Sequence, residues 1–302
     1  MNLKNFIEFN NIPIQLIYRR GGWKRLCFDA GKLDDFDITY EIEITRAIAN
    51  KWLSCSSTSY FQFILGLAKN GFRVNLNEFN ETEEKMLLML HYDIWQKAGG
   101  FDSLQSSIRE IGRNKVLLSE MIELLEMLID GINFKEIEIR LPYNQPLKLH
   151  ARYTRDQILA AFGLSTFLRK SPSREGVAEN TNINTELLFI NLIKSEENYS
   201  PTTMYDDYAI SETLFHWQSQ NSAGPETAKG ISYIHHKESQ KKILLFVREK
   251  NRDEYNNTIG YVFIGEGQLK EHRSEKPMNI KWELSEPLPN FLWQEALKLR
   301  VG

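Results

Sequence analysis

KVLLSEMIELLEMLID, residues 115–130, is followed within a few positions by IEIRLPYNQPLKLHARY, residues 137–153, and the hydrophobic period changes between them. In the first segment Leu117, Met121, Leu124, Leu125 and Leu128 recur at i, i+4, i+7, i+8 and i+11, the stripe of one helix face. In the second, apolar and polar residues alternate, and Pro142 and Pro146 mark a turn or a sheet edge. The chain is therefore expected to be α+β, helical before the change and strand-rich after it. The expected domains are a helical one over residues 1–140 and a β-barrel one over 141–302, the boundary falling near 135–150.

Upstream, the spacing from Asp37 to Asp130 is mostly helical and predicts four or five helices in a compact bundle. Asn80 is a suitable N-cap for the helix over Glu83–Lys97, with Glu83 at the capping-box position. Asp102 followed by Gln105 reads as a second start, and Gly99-Gly100 separates the two helices. Downstream, Thr154 and Gln157 form a capping box before ILAAF, and Gly163 can end that short helix. Strands are expected at Leu187–Ile193, Thr213–Trp217, Ile231–His236, Ile243–Arg248, Thr258–Ile264 and Asn279–Leu284, in an antiparallel sheet that closes into a curved barrel.

The 302 residues are 42% hydrophobic and 25% charged, which excludes a disordered or collagen-like chain. Apolar runs such as Ile243–Val247 are far shorter than the ~20 residues of a membrane-spanning helix, and the N-terminus has no signal-peptide core. Cys27 and Cys55 cannot build a disulfide framework or a four-ligand zinc site, so a reduced, cytoplasmic chain with no membrane association is expected. Lys and Arg number 17 against 20 acidic residues over 1–140, and 20 against 20 over 141–302. With a net charge of −3, any nucleic-acid binding has to come from a local basic patch.

Enzyme motifs are missing from the sequence. It contains no GxxxxGK[ST], no GxSxG and no GxGxxG. His235-His236-Lys237 is similar to the HxK of phospholipase-D-type nucleases, but the Asp required five residues after the Lys is replaced by Lys242. No HExxH or CxxC accompanies the two histidines, and no PD…ExK pattern is convincing. The expectation is a chain with no ATPase or nuclease activity of its own, no metal and no cofactor.

YSPTTMYDDYAISETLFHWQSQ, residues 199–220, carries the most chemistry. Tyr205, Tyr208, Phe215 and Trp217 crowd aromatic faces around Asp206-Asp207, flanked by hydrogen-bonding side chains. Rings that stack on an extruded base, with a carboxylate that accepts from an exocyclic amine such as cytosine N4, suit base recognition. The plainer alternative is that Phe215 and Trp217 are core residues and the two Asp cap a turn.

Several segments carry a family resemblance: HARYTRDQILAAFG, SREGV, KSEENYSPTTMYDDYAISETLFHWQSQ, ILLFVREK and KPMNIKWELSEPLP. They resemble a domain long of unknown function at the C-terminus of bacterial helicases that are often fused to a phospholipase-D-like nuclease. Some of those fusions are modification-dependent (type IV) restriction enzymes cutting DNA with 5-methylcytosine or 5-hydroxymethylcytosine. The resemblance covers residues 145–302, and the helical stretch before it is similar to the linker after the motor. It implies either an excised C-terminal portion or a stand-alone relative.

The segment around Tyr205 also resembles the SRA (SET- and RING-associated) fold, a curved barrel that flips modified cytosine out of duplex DNA. In that fold a Tyr precedes acidic residues, and a second aromatic follows the Tyr by twelve positions, as Trp217 follows Tyr205 here. The resemblance implies Tyr205 and Trp217 as the base sandwich, with Asp206 or Asp207 on the base edge and Tyr208 beside them. Ser200, Thr202, Thr203, His216, Gln218, Ser219 and Gln220 would form the rim. Candidate phosphate contacts are Arg152, Arg155, Arg169, Lys170, Arg174 and Lys194. The expected partners are double-stranded DNA with modified cytosine and helicase and nuclease domains in cis or in trans. The competing expectation is a docking domain for those modules that reads no base.

Overall fold

The computed structural model describes residues 2–193, 207–273 and 276–301. It divides into two compact units: residues 1–136, 140–171 and 252–260 form the first, and 137–139, 172–251 and 261–302 the second. No helix among the described residues is long and apolar enough to cross a membrane.

The first unit is helical. It contains α1 (Leu3–Asn10), α2 (Ile14–Tyr18), α3 (Trp23–Asp29), α4 (Glu41–Asn50), α5 (Thr58–Lys69), α6 (Glu81–Trp95), α7 (Leu104–Ile111), α8 (Lys115–Gly131), the two-residue β1 (Arg152–Tyr153) and α9 (Arg155–Ala161). The α6 capping box forms as read: Asn80 Oδ1 accepts from Glu83 N at 3.1 Å, and Glu83 Oε2 accepts from Asn80 N at 2.9 Å. The α7 cap is Ser103 rather than Asp102, its hydroxyl accepting from Ser106 N. On α8, Leu117, Met121, Leu124 and Leu125 are fully buried, which is the stripe the sequence displays. Position 120 on the same helix is a buried carboxylate. Glu120 accepts from Trp23 N and Lys24 N, each at 2.8 Å, and so satisfies the first amides of α3.

Residues 137–151, where the alternation begins, form no strand beyond isolated bridge positions. Their alternation is real, since Leu147, Leu149, Ala151 and Tyr153 are all buried. It arises from an extended segment laid over the helical core, with Lys148 N donating to the Tyr153 hydroxyl in place of a ladder partner. Burial pattern and sheet pairing are separate properties, and only the first is written in the period.

The second unit is built on β2 (Val177–Asn180), β3 (Thr185–Asn191), β4 (Tyr208–Ser211), β5 (Leu214–Gln218), β6 (Lys242–Arg248), β7 (Tyr261–Arg273) and β8 (Asn279–Leu284), with α10 (Ala228–Ile234) and α11 (Asn290–Val301). These strands run in the order β2-β3-β6-β7-β8-β5-β4, and the sheet stays open rather than closing into a barrel. The expectation of an all-antiparallel barrel fails at β3 and β6, which pair in parallel from Thr185↔Lys242 to Asn191↔Arg248. Every residue of β3 is buried, as is usual for strands covered on both faces. The long connection through β4, β5 and α10 is what allows a parallel return.

The expected strand at Ile231–His236 is the helix α10 and its C-terminal cap. Thr227 caps it by accepting from Gly230 N at 3.1 Å. A Cβ at Gly230 would stand 1.9 Å from the Gly224 carbonyl oxygen, so close packing of the turn on the helix requires glycine there. Ion pairs then pin the helix: Lys229 lies 2.8 Å from both Glu179 and Glu186, and the Tyr233 hydroxyl donates to Glu186 at 2.8 Å. These partners sit on β2 and β3, far away in sequence, so local alternation could not announce them.

Candidate functional site

Strand parity decides what the β4–β5 hairpin presents. Successive residues of a strand face opposite sides. On β5, Phe215 and Trp217 join the core of the second unit, with Ala209 from β4 and Ile280, Trp282 and Leu284 from β8. The Trp217 ring stands edge-on to Tyr233 at 5.3 Å and tilted against Trp282 at 6.3 Å, and the residue is 5% exposed. Trp217 is therefore a core side chain, and the plainer alternative describes it correctly. Ser219 and Gln220 also point inward. The Ser219 hydroxyl accepts from Met278 N at 2.9 Å, and the Gln220 side-chain oxygen accepts from the Tyr233 hydroxyl at 3.1 Å.

The opposite parity builds a cleft. Tyr208 pairs with His216, His216 with Lys281, and Lys281 with Glu271, which makes one row of side chains across β4, β5, β8 and β7. Gln218 pairs with Asn279, and Asn279 with Arg273, in the next row. Directly opposed residues share a face and lie within reach of one another. The Tyr208 and His216 rings stack at 4.7 Å with 19° between their planes. Lys281 Nζ lies 2.6 Å from Glu271, and this bond holds the Glu271 carboxyl below the usual range for a glutamate. The space over these rows is about 460 Å³, and Ile210 from β4 supplies its aliphatic wall.

This arrangement offers four kinds of contact. Tyr208 gives a partly exposed aromatic face backed by His216, and Ile210 gives an apolar wall. Gln218 and Asn279 give carboxamides, and the Gln218 side chain has no hydrogen-bond partner among the described residues. Arg273 and Lys281 give positive charge, and Arg273 makes no ion pair among the described residues.

Asp207 has a different task from the expected one. It is 8% exposed, and its Oδ1 accepts from Gln218 N at 2.8 Å, so the carboxylate ties the start of β4 to the end of β5. Tyr205, Asp206, Ser200, Thr202, Thr203 and Lys194 lie outside the described residues. Of the proposed pocket and rim, the structure thus brings together Tyr208, His216 and Gln218, places Trp217 and Ser219 in the interior and leaves Gln220 half-buried.

The expected phosphate contacts that lie among the described residues are divided between the two units. Arg152, Arg155, Arg169 and Lys170 belong to the first unit and Arg174 to the second. Lys170 lies 3.2 Å from Asp156, and Arg152 donates to the Gly260 carbonyl oxygen at 3.2 Å. The cations that line the cleft are Arg273 and Lys281. The alternation of EHR at 271–273 and NIKWEL at 279–284 marks them once the β7–β8 pairing is known. The two adjacent histidines sit in different surroundings. His236 is buried, its Nε2 accepting from Leu269 N at 3.1 Å, whereas His235 lies on the surface, and no cluster suited to a metal occurs among the described residues.

The cleft lies in the part of the chain that matches a family model. Residues 147–296 match the family described as "Domain of unknown function (DUF3427)". The match takes in α9 and every strand of the second unit, including the whole cleft. No curated protein matches the chain.

Proposed function

We propose that the second unit is a DNA-binding specificity module that recognises 5-methylcytosine or 5-hydroxymethylcytosine by base flipping, as part of a modification-dependent restriction system. Helicase and phospholipase-D-like nuclease domains, in cis or in trans, would supply translocation and cleavage. The observation that carries this reading is the pair of side-chain rows on the outer face of β4, β5, β8 and β7. An aromatic face, carboxamides and cations within one cleft are what an extruded base and its phosphates require. Extrusion costs a few kcal/mol, and stacking on one aromatic returns about 1–3 kcal/mol.

Two substitutions separate a base pocket from a charged surface. Tyr208→Ala is expected to weaken binding to a duplex with one 5-methylcytosine by about tenfold or more, and to unmodified duplex far less. Arg273→Ala is expected to weaken both about equally and to lower the salt slope by about one. Fluorescence anisotropy of labelled duplexes between 50 and 200 mM salt gives both quantities. Affinity unchanged by Tyr208→Ala on every duplex would remove the cleft from the account.

A further inference from the structure

The reading of the cleft as a pocket for a flipped base has a consequence for which base it accepts. Among the described residues the only carboxylate lining the cleft is Glu271, and Lys281 holds it at 2.6 Å. Asp207 has an oxygen bound to Gln218 N and is 8% exposed. The carboxamide that the inference places on a base edge is that of Gln218, at the end of β5 and paired in register with Asn279 of β8.

A carboxamide presents an acceptor and a donor side by side. In one orientation its oxygen accepts from cytosine N4 while its NH₂ donates to N3. Turned by 180°, the same group donates to thymine O4 and accepts from N3–H. A carboxylate has no such second orientation, because it only accepts. An amide reader therefore does not separate cytosine from thymine. What remains to discriminate is the 5-substituent, and Ile210 is the aliphatic side chain that lines the cleft.

We infer that this cleft selects a pyrimidine by its 5-methyl group against Ile210, with Gln218 reading the edge of either 5-methylcytosine or thymine, so that a mispaired thymine is also a ligand. This specificity rests on the base-pocket reading above. The ligand class is a 5-methylpyrimidine extruded from a duplex, whichever exocyclic group it carries at C4.

The test uses the full chain and four duplexes that differ at one position: C·G, 5-methylcytosine·G, U·G and T·G. The U·G duplex has the mismatch and its lower extrusion cost but lacks the methyl group, so the T·G to U·G ratio isolates the methyl. Both ratios, 5-methylcytosine over cytosine and T·G over U·G, are expected at about fivefold to tenfold. Ile210→Ala should bring both close to one. Gln218→Glu should weaken T·G and U·G alike, because a carboxylate meets the O4 acceptor that both bases carry, and keep the preference for 5-methylcytosine over cytosine.

If 5-methylcytosine is preferred but T·G binds no better than U·G, the inference is wrong and the base-pocket reading stands, with the edge read by a carboxylate such as Asp206. If neither methyl group changes affinity, or no duplex binds, both fall together. Circular dichroism and the melting temperature of each variant confirm that it is folded before its affinities are compared.

Discussion

Trp217→Ala is expected to destabilise the second unit rather than to remove a ligand contact. The indole is 5% exposed and packs among Tyr233, Trp282, Ile280 and Ala209. Truncating a buried Trp removes its transfer free energy and leaves a cavity that rigid neighbours fill only in part, together about 3–5 kcal/mol. The ring geometry adds to this. Its edge-on contact with Tyr233 at 5.3 Å is of the kind that contributes about 0.5–1.5 kcal/mol beyond area. Set against a typical total of about 5–15 kcal/mol, the loss takes a large share of the stability. Urea unfolding followed by circular dichroism measures it. Tyr208→Ala is the matched control: Tyr208 is 39% exposed on a strand at the end of the sheet, so its loss should cost less than about 1 kcal/mol. A Trp217→Ala chain that melts like the parent and loses only its affinity for modified duplex would restore Trp217 as a stacking face.

The second large effect is in the helical unit and depends on pH. Asp93 on α6 is fully buried, where it accepts from Trp52 Nε1 at 3.2 Å, the Tyr60 hydroxyl at 2.9 Å and Gln157 Nε2 at 2.9 Å. Desolvation dominates these three donors and pushes the carboxyl from its ordinary 3.8 up to about 7. The folded state thus holds the Asp93 proton more tightly than the unfolded chain does. Its contribution to stability is complete below about pH 4 and is lost as pH rises through about 7. Across that window the difference approaches about 4 kcal/mol. Asp93→Asn keeps an oxygen for Trp52 and Tyr60 and cannot ionise. The parent should therefore lose stability relative to Asp93→Asn between pH 5 and 7 and run parallel to it above pH 8. Chemical denaturation of both chains at each pH, read by Trp fluorescence, checks this. Parallel curves from pH 5 to 8 would mean that Asp93 is ionised throughout.

Capping residues and helical stripes are local, and they are the part of the fold that the sequence shows most clearly. Asn80 with Glu83 starts α6, and Thr154 with Gln157 starts α9, because each pair bonds within three residues. Gln157 then reaches Asp93, a contact across 64 positions that no local pattern contains. The sheet shows the same limit. Asn279–Leu284 is a strand with the expected ends, but the parallel match of β3 with β6 comes from tertiary packing. At α10, Ile231 and Ile234 are spaced for a helix as well as for a loosely alternating strand, and the anchors to Glu179 and Glu186 decide it.

The β4–β5 segment is legible in the sequence, but which of its two faces is buried is not. The twelve positions from Tyr205 to Trp217 point to the β4–β5 hairpin, where strand parity gives the outer face to Tyr208, His216 and Gln218 and sends Trp217 inward. In a strand, a shift of one residue exchanges the two faces completely. Which set is buried depends on the opposing residues of β8, where Ile280 and Trp282 are apolar and Asn279 and Lys281 are polar. That complementarity sits more than sixty residues downstream and becomes visible only through the β5–β8 register.

The most direct test of the central claim is one ratio of affinities. The intact chain is titrated at 0.15 M salt against two duplexes of the same sequence, one with a single 5-methylcytosine and one without. The account predicts tighter binding to the methylated duplex by at least about fivefold, the contribution of a methyl group that meets an apolar wall. Equal affinities for the two duplexes would contradict it.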